Sequence, residues 1–370
     1  MEPSEVYFTD MRTTPSLNLL KKLERLVKAA GFEKIDFSRK MTAIKVHFGE
    51  PGNLAYLRPN FAARVAEMIR EKGGKPYLTD CNTLYHGERS CAPDHLEAAF
   101  SNGYNPLSAG CHVVIGDGIK GTDYREVEVN LEHTAKAMIG TAIADADIII
   151  SLNHFKGHEQ TGFGGALKNL GMGCASVGGK LFLHSGNPPV IYRKNCTGCN
   201  MCVINCAHDA VHLGEDRIAI IDNSKCTGCG QCVAVCQFDS ARVQWSSEGD
   251  TLSKKIAEYA YAAVRGKPAL HVNFIMDVSP DCDCWGHNDR PIVENIGILA
   301  SADPVALDRA SADMVTDAPA ARHLRDEQNN NDLSGADKFR MVHGNTDWNT
   351  ALLHGEKIKL GSVSYKLTKI

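Results

Sequence analysis

The sequence predicts an α/β protein whose largely parallel sheet is discontinuous along the chain, because a cysteine-rich segment interrupts it. Amphipathic helical patterns alternate with strand patterns on both sides of residues 190–243. Such alternation is typical of sheets whose strands are joined by helices. Within residues 190–243 the alternation gives way to two closely spaced cysteine runs. We therefore expect residues 1–189 and 244–370 to form one α/β domain, and residues 190–243 to form a smaller inserted α+β domain.

The elements of the larger domain follow from residue periodicity. Helical spacing of apolar residues predicts helices over residues 16–30, 60–71, 94–101, 134–143 and 254–264, and one that starts near Pro304. Alternating or continuously apolar stretches predict strands over residues 42–47, 75–79, 112–115, 124–129, 147–151, 269–275 and 296–299. The Asn- and Asp-rich stretch 328–335 is expected to be a surface loop.

Two cysteine runs of equal spacing indicate the chemistry of the inserted segment. Each run reads C-x2-C-x2-C-x3-C and carries Thr-Gly after its first cysteine. The first comprises Cys196, Cys199, Cys202 and Cys206, and the second comprises Cys226, Cys229, Cys232 and Cys236. Cysteine pairs at this spacing also bind zinc, but eight cysteines in a doubled pattern favour iron–sulfur clusters.

The doubled run resembles the bacterial two-cluster ferredoxins, in which the fourth cysteine of each run binds the other cluster. The resemblance implies two [4Fe-4S] clusters and a ferredoxin-like fold for residues 190–243. It assigns one cluster to Cys196, Cys199, Cys202 and Cys236, and the other to Cys226, Cys229, Cys232 and Cys206. The proline that usually follows the fourth cysteine is replaced by Ala207 and Gln237.

Composition limits the class of partner. The chain has 370 residues, is 43% hydrophobic and 23% charged, and carries a net charge of −4. These values give no electrostatic reason to expect a nucleic acid or an anionic membrane as a partner. Neither a signal peptide nor a bilayer-length apolar run is recognisable. Fourteen cysteines, together with the oxygen-labile clusters expected here, predict a cytoplasmic protein in a reducing environment, such as that of an anaerobe.

Polar residues follow several of the predicted strands. In open α/β sheets ligands bind beyond the carboxyl ends of the strands, so we expect a site where these residues meet. Each of them alone would be an ordinary loop residue. They are His47, Asp80, Cys81, Asn82, Thr83, Asn153, His154, Lys156, His158, Asp277, Ser301 and Asp303.

The richest of these loops, residues 153–174, combines histidines and lysines with many glycines. The candidate catalytic residues are His154, His158, Lys168 and Asp80. The histidines are expected to donate protons or bind a metal, because imidazole exchanges protons near neutral pH. The lysine and the aspartate are expected to orient the substrate. A substrate anion is expected to rest on the helix N-terminus near Gly162–Gly165.

A further metal could bind at Cys282 and Cys284, which form a Cys-x-Cys pair among carboxylates. His158 is a second candidate for such a metal. Alternatively, the two cysteines pack as part of an inert loop or face the cysteine-rich segment. The sequence leaves these alternatives open.

Four segments together resemble the uncharacterised iron–sulfur family called domain of unknown function 362. They are residues 80–85, 162–171, 281–284 and 298–308. The resemblance extends over essentially the whole chain and implies an α/β domain with an inserted two-cluster ferredoxin module, without implying a reaction. The single loop from His158 to Lys168 also resembles that of nickel-pincer lactate racemases. That resemblance implies a nickel-binding role for His158.

The function we predict is that of an oxidoreductase in which two [4Fe-4S] clusters pass electrons to a substrate or cofactor in the α/β cleft. A dedicated electron carrier would need only the small domain. One alternative is a non-redox isomerase- or transferase-like enzyme with structural clusters, and another is an electron-transfer docking module. We expect a redox partner protein or a small-molecule substrate. No Gly-x-Gly-x-x-Gly motif follows a predicted strand, so NAD and FAD are not expected.

Overall fold

Strands and helices alternate along the computed structural model, which describes residues 2–85, 87–184, 188–206, 208–226, 230–242, 244, 249–327 and 333–370. The strands are β1 (Ser4–Asp10), β2 (Met41–Val46), β3 (Lys75–Asp80), β4 (Val113–Ile115), β5 (Tyr124–Glu128), β6 (Lys136–Gly140), β7 (Ile148–His154), β8 (Lys156–His158), β9 (Gly162–Gly164), β10 (Val190–Ile191), β11 (Val211–Leu213), β12 (Ala219–Ile221), β13 (Ala241–Arg242), β14 (Ala269–Ile275), β15 (Gly297–Ser301) and β16 (Tyr365–Lys369). The helices are α1 (Leu19–Ala29), α2 (Pro59–Glu71), α3 (Ala92–Ser101), α4 (Thr141–Ala144), α5 (Ala166–Cys174), α6 (Val177–His184), α7 (Met201–Ile204), α8 (Gln231–Ala234), α9 (Gly249–Val264), α10 (Pro304–Asp317), α11 (Arg322–Glu327), α12 (Lys338–Val342) and α13 (Asn349–Lys357). Short 3-10 helices cover Phe32–Lys34 and Arg193–Asn195.

One large sheet organises the molecule. Its eight strands are ordered β16-β1-β15-β14-β7-β2-β3-β4. Every pairing in it is parallel except the two that involve β15. The predicted fold class, α/β with a largely parallel sheet, is therefore confirmed.

The sheet takes strands from both sides of the cysteine-rich segment. Strands β1 to β4 and β7 precede residue 190, whereas β14, β15 and β16 follow residue 243. Strand β7 pairs directly with β14, so the chain leaves the sheet before the segment and re-enters it beside its point of departure. The domain limits at residues 190 and 243 stay predictions, and residue 243 lies outside the described residues.

Helices cover both faces of this sheet. Helix α1 shows how the sequence sets its ends: the Asn18 side chain accepts a hydrogen bond from the Lys21 amide at 3.0 Å, and Gly31 follows with a left-handed φ of 109°. Its Leu23 and Leu26 side chains are buried in the core on the α2 side. The opposite core contains α5, α9 and α10. No helix in the described part of the chain is both long and apolar enough to cross a membrane.

The predicted helix over residues 134–143 is wrong. Strand β6 occupies residues 136–140 and pairs antiparallel with β5, and only the short helix α4 follows. The burial pattern explains the difference: Ala137 and Ile139 are buried, whereas Lys136 is exposed and Met138 is partly exposed. This alternation has the period of a strand, and pairing with β5 overrides the helical propensity of the alanines.

The cysteine-rich segment has a small core of its own, formed by Val211, Ala219, Cys232 and Ala241. Around it lie the pairs β10–β13 and β11–β12 and the helices α7 and α8. Helix α8 also packs outward, because its Val233 and Ala234 contact an apolar cluster of Leu84, Val177 and Leu181. Cys229 and residues 328–332 of the predicted surface loop lie outside the described residues.

Candidate functional site

A cavity of about 560 Å³ lies beyond the carboxyl ends of β2, β3 and β7, beside α5 and α6. All four candidate catalytic residues line it, namely Asp80, His154, His158 and Lys168. Five other strand-end residues predicted for the site also line it: His47, Cys81, Thr83, Asn153 and Lys156. The cavity thus brings together most of the polar residues that follow the parallel strands.

Asn82, Asp277, Ser301 and Asp303 are not among the residues that line the cavity. The reason for the last two is strand direction: β15 runs antiparallel to its neighbours, so its carboxyl end lies at the opposite edge of the sheet. There Asp303 caps α10 by accepting hydrogen bonds from the first turn. Asp277 does follow a parallel strand, but its carboxylate lies 3.1 Å from the partly exposed Arg58 guanidinium.

Asp80 is held by a lysine that comes from within the sheet. The Lys45 Nζ lies 2.9 Å from Asp80 Oδ1, and both side chains are almost completely buried. The same ammonium group donates to Asn169 Oδ1 at 2.6 Å. Burial opposes ionisation, but the charge of Lys45 holds the pKa of the Asp80 carboxyl below its usual range. Asp80 is therefore an anion fixed in place between the sheet and α5.

A buried arginine organises the neighbouring wall. Arg89 donates through Nε to Glu50 at 2.6 Å and through a terminal nitrogen to the Tyr85 hydroxyl at 2.8 Å. Its other terminal nitrogen lies 3.1 Å from His47 Nε2. Burial and the charge of Arg89 lower the pKa of His47 to about 3. His47 therefore stays neutral at physiological pH, and its Nδ1 accepts a hydrogen bond from the Gly49 amide at 3.0 Å.

Both ring nitrogens of His154 have acceptor partners. Nδ1 lies 2.8 Å from the buried Asp283 carboxylate, and Nε2 lies 2.9 Å from the Met276 carbonyl oxygen. The Lys156 ammonium lies 3.5 Å from the same carboxylate. With both nitrogens occupied, His154 holds the loop that contains Asp283 and has no free nitrogen for a metal in this arrangement.

His158 has a defined tautomer. Its Nδ1 faces two donors, the backbone amides of Gln160 and Thr161, both at 3.2 Å. Nδ1 must therefore be an acceptor, which places the ring proton on Nε2. Burial and the nearby charge of Lys168 lower the pKa of His158, so the neutral ring is favoured.

Lys168 lies against a cysteine. Its Nζ is 3.1 Å from Cys282 Sγ. Burial opposes the charged form of this lysine, but the negative charge of Cys282 raises the Lys168 pKa overall. The pKa of Cys282 lies well below its usual range, because the neighbouring Cys284 and the charge of Lys168 both favour the thiolate. Burial opposes this shift without cancelling it. These contacts describe an ammonium–thiolate pair beside the cavity.

The expected anion site at the start of α5 is wrong for the first two amides of that helix. The Asp308 carboxylate accepts from the Ala166 amide at 2.7 Å and from the Leu167 amide at 2.9 Å. An acidic residue of the chain thus takes the position that was expected for a substrate anion. Gly165 makes this approach possible, because a Cβ there would lie 2.3 Å from Asp308 Oδ1.

Several cavity residues were not predicted. They are Tyr85, Arg89, Asn169, Lys180, His184 and Trp285. Lys45, which pairs with Asp80 behind the lining, was not predicted either. Lys45 could have been predicted from the sequence, because a lysine within an apolar strand is rarely buried unless an anionic residue pairs with it. Lys180 likewise interrupts the apolar helix α6. Arg89 and Tyr85 could not have been predicted in this way, because they reach the cavity from an irregular loop.

The described lining carries more basic than acidic groups. Arg89, Lys156, Lys168 and Lys180 contribute four cationic side chains, whereas Asp80 and Glu159 contribute two carboxylates. Arg89, Lys156 and Lys168 have the anionic partners Glu50, Asp283 and Cys282, whereas Lys180 donates to a neutral carbonyl oxygen, that of Ala175. The charge of Lys180 is therefore the least compensated in the lining, and it favours a negatively charged ligand.

A second, much smaller cavity of about 20 Å³ lies within the cysteine-rich segment. Cys196, Cys199, Cys202 and Cys236 all line it, so a cysteine of the second run joins three of the first. Backbone amides point at the sulfurs: Ala219 donates to Cys196 at 3.4 Å, and Ser240 donates to Cys236 at 3.2 Å. In the described part of the chain, no three His, Cys, Asp or Glu side chains converge to hold a metal ion.

Comparison with known proteins finds relatives of limited extent. A thylakoid-associated protein of Synechocystis sp. is 30% identical over 131 residues, which cover 35% of this chain and 36% of that protein. The lactate racemase apoprotein of Thermoanaerobacterium thermosaccharolyticum is similar in structure, with a TM-score of 0.43 and 13% identity over 85% of this chain and 57% of that chain. A Thermotoga maritima protein has a TM-score of 0.42 and 11% identity, over 83% of this chain and 61% of that chain. Residues 42–313 match the family described as "Domain of unknown function (DUF362)", and the chain therefore belongs to that family.

Proposed function

We propose that this chain is an iron–sulfur oxidoreductase that reduces a small anionic molecule in the strand-end cavity. Two [4Fe-4S] clusters would be held in the cysteine-rich segment, and when bound they supply one-electron transfer at low potential. One would take Cys196, Cys199, Cys202 and Cys236, and the other would take Cys226, Cys229, Cys232 and Cys206. The observation that carries the proposal is that Cys196, Cys199, Cys202 and Cys236 line one cavity.

The donor set around that cavity suits a cubane. Cys236 belongs to the second run, yet it shares the cavity with cysteines of the first run, which is the crossed pattern of ligands in two-cluster ferredoxins. A cubane presents four irons at separate corners, so its cysteines need not converge on one point as they do for a single ion. Amide N–H groups directed at Cys196 and Cys236 would stabilise the charge on their sulfurs.

The second run has its own link to the strand-end cavity. Helix α8, which contains Cys232, packs against α6 through Val233 and Ala234. On α6, Leu181 faces this contact, while Lys180 and His184 line the cavity. One short helix thus lies between the second cysteine run and the substrate cavity, which supports electron delivery over a short distance.

The cavity residues would bind and orient the substrate. Lys156 and Lys180 supply positive charge for an anion. His158 holds a proton on Nε2, where it can stabilise negative charge or release the proton during reduction. His154 positions the loop of Asp283, and Lys45 keeps Asp80 ionised.

Metal analysis of anaerobically purified protein tests the first half of the proposal. We expect about eight irons and eight acid-labile sulfides per chain. Cys236→Ser should lose roughly half of the iron, because it removes a ligand of the cluster that the first run holds. Cys91→Ser is the matched control, since this cysteine lies outside both runs. Zinc in place of iron, or equal iron loss in both variants, would remove the basis for the clusters.

Reoxidation of the reduced protein tests the second half. Small anionic oxidants are added to dithionite-reduced protein, and reoxidation is followed by the visible and electron paramagnetic resonance signals. We expect Lys156→Met to retain the parent iron content but to slow reoxidation by anions. Glu126→Gln on the exposed strand β5 is the control for iron content and rate. Unchanged reoxidation in Lys156→Met would separate the clusters from the cavity and favour a structural role for them.

A further inference from the structure

A turn in the cavity wall presents two cysteines in a fixed arrangement. The amide of Trp285 donates to the Cys282 carbonyl oxygen at 3.1 Å, which closes the turn. The Tyr85 hydroxyl donates to the carbonyl oxygen of Cys284 at 3.2 Å. Between them, Asp283 is held by His154 as described above. The candidate catalytic histidine is therefore the residue that fixes the position of this cysteine pair.

The two thiols of the turn are placed differently. Cys284 lines the cavity, whereas Cys282 is only 1% exposed and lies behind it. The Lys168 Nζ lies 3.1 Å from the sulfur of Cys282. An ammonium group thus lies against the inner sulfur, and the outer sulfur faces the substrate space.

We propose that Cys282 and Cys284 form a redox-active dithiol that reduces anionic small molecules containing a sulfur–sulfur bond. The inner sulfur is stabilised as a thiolate by the Lys168 ammonium 3.1 Å away, and the outer sulfur keeps its proton. Neither the proposed function nor its clusters are needed for this chemistry, although both use the same cavity.

The exchange proceeds in two balanced steps. The proton of the Cys284 thiol moves to the Cys282 sulfur, and the Cys284 thiolate attacks one sulfur of the substrate. The substrate S–S bond breaks, and the first substrate thiolate leaves after taking the proton from Cys282. The Cys282 thiolate then attacks the mixed disulfide at Cys284, which releases the second substrate thiolate. The resulting Cys282–Cys284 disulfide regains the starting state by taking up two electrons and one proton from a dithiol reductant.

The surroundings favour this use over two alternatives. A purely structural pair would not need an ammonium group against the inner sulfur, since packed cysteines are inert without one. A metal would compete with Lys168 for the same thiolate, and in the described residues no three metal-binding side chains converge there. The cations Lys156 and Lys180 in the cavity lining give the outer thiol a preference for anionic substrates.

Peptide mapping of the complete protein tests the proposal. The reduced, anaerobic protein is treated with dithiobis-nitrobenzoate, an anionic aryl disulfide, and remaining thiols are alkylated before digestion. Cys282 and Cys284 fall on one peptide, so an internal disulfide is read as the loss of two hydrogens, whatever the state of the other cysteines. We expect that disulfide, and its return to two alkylated thiols after dithiothreitol. Two alkylated thiols before dithiothreitol would overturn the proposal.

Single variants then separate the roles of the two sulfurs. Cys282→Ser should leave Cys284 trapped as a mixed disulfide with nitrobenzoate, because the resolving sulfur is missing. Cys284→Ser should leave Cys282 unmodified, because that sulfur is buried. Equal labelling of the two variants would contradict the assignment. The parent peptide gives its answer even if a variant fails to fold, and iron analysis tests the clusters separately.

Charge selectivity provides an independent readout. In the parent, dithiobis-nitrobenzoate should react roughly 10-fold faster at this pair than the neutral dithiodipyridine, because the basic lining raises the local concentration of anions. Lys156→Met should reduce that ratio. A rate ratio of one in the parent would overturn the anionic substrate class. If a tightly retained metal prevented oxidation of the two cysteines, the dithiol proposal would be overturned in favour of a metal site.

Discussion

Lys45 and Asp80 show how a single buried pair can hold a functional edge of the sheet. They lie on adjacent parallel strands with their charged atoms 2.9 Å apart. An ion pair of this kind has lost most of its hydration, and its attraction largely offsets that loss. Removing one partner therefore costs more than the pair contributes, because the remaining charge is left in a medium of low polarity.

Lys45→Met should lower the free energy of unfolding by about 3–5 kcal/mol. Lys136→Met is the matched control, since Lys136 pairs with Glu126 at the same distance on an exposed strand, where water screens the pair and its loss should change stability far less. Denaturant unfolding of both variants measures the difference. Adding Asp80→Asn to Lys45→Met should restore much of the loss. Equal losses for the two lysines would mean that Arg89, 3.8 Å from Asp80, compensates the charge.

His271 supplies a pH-dependent contribution to stability. Burial lowers its pKa from 6.5 to about 3 in the folded protein. Between these values the unfolded chain binds a proton that the folded chain does not, so stability falls as the pH falls from 6.5 towards 3. His271→Gln should reduce the slope of unfolding free energy against pH by up to about 1.4 kcal/mol per pH unit in that window. Exposed His112→Gln is the control, and an unchanged slope in His271→Gln would contradict the prediction.

At the scale of elements, helix α5 connects the sheet to the cavity. Its first two amides are bound by Asp308 from α10, and its Asn169 contacts Lys45 of β2. Lys168 projects from the same helix to Cys282. The position of α5 therefore decides whether the ammonium, the thiolate and the Asp80 carboxylate lie at the same cavity.

Gly165→Ala should disturb this helix. The added Cβ would lie 2.3 Å from Asp308 Oδ1 and force the carboxylate away from the amides that it caps. We expect the free energy of unfolding to fall by about 1–3 kcal/mol, as for other overpacked sites. Gly344→Ala is the control, because its nearest neighbour would be the Arg340 carbonyl oxygen at an ordinary 3.7 Å. Calorimetry that shows the same melting temperature for both variants would refute the role of this contact.

The sequence predicted the elements whose patterns are local. Helix α2 and strand β14 were placed to within a residue or two, because their periodicity and flanking glycines are decided by near neighbours. Strands β1 and β16 were missed, since each depends on pairing with the distant end of the chain. The reversal of β15 was also missed. Direction is set by pairing and not by composition, which is why Asp303 was assigned to the wrong edge.

The candidate site was predictable for a related reason. Residues that end parallel strands meet at one edge whatever their loops do, so Asp80, His154 and His158 could be grouped without a structure. Contacts made by irregular loops could not be grouped in this way. The Asp283 partner of His154 and the guanidinium of Arg89 come from such loops, and they decide which groups are free to react.

At the scale of the whole molecule, the cysteine-rich segment leaves and re-enters through one narrow connection. Val190 pairs with Arg242 across the β10–β13 ladder, so the two ends of the segment lie side by side. Directly paired residues on antiparallel strands have Cα atoms about 4.5–5.5 Å apart. None of the eight strands of the large sheet comes from within the segment. Its described contact with the rest of the core is the packing of α8 on Leu84, Val177 and Leu181.

Deleting residues 191–241 and joining Val190 to Arg242 through two glycines should therefore leave the large sheet intact. Two glycines can span the separation of paired residues. The shortened chain should unfold cooperatively and keep its far-ultraviolet strand signal, but it should bind no iron. Its stability should fall by about 2–5 kcal/mol, because Leu181 and its neighbours lose the cover of α8.

Replacing Leu181 by Gln in the shortened chain should recover part of the solubility lost with that cover. A chain that shows no cooperative transition even after this replacement would mean that the segment is an integral part of one domain, and the boundaries at residues 190 and 243 would have to be abandoned.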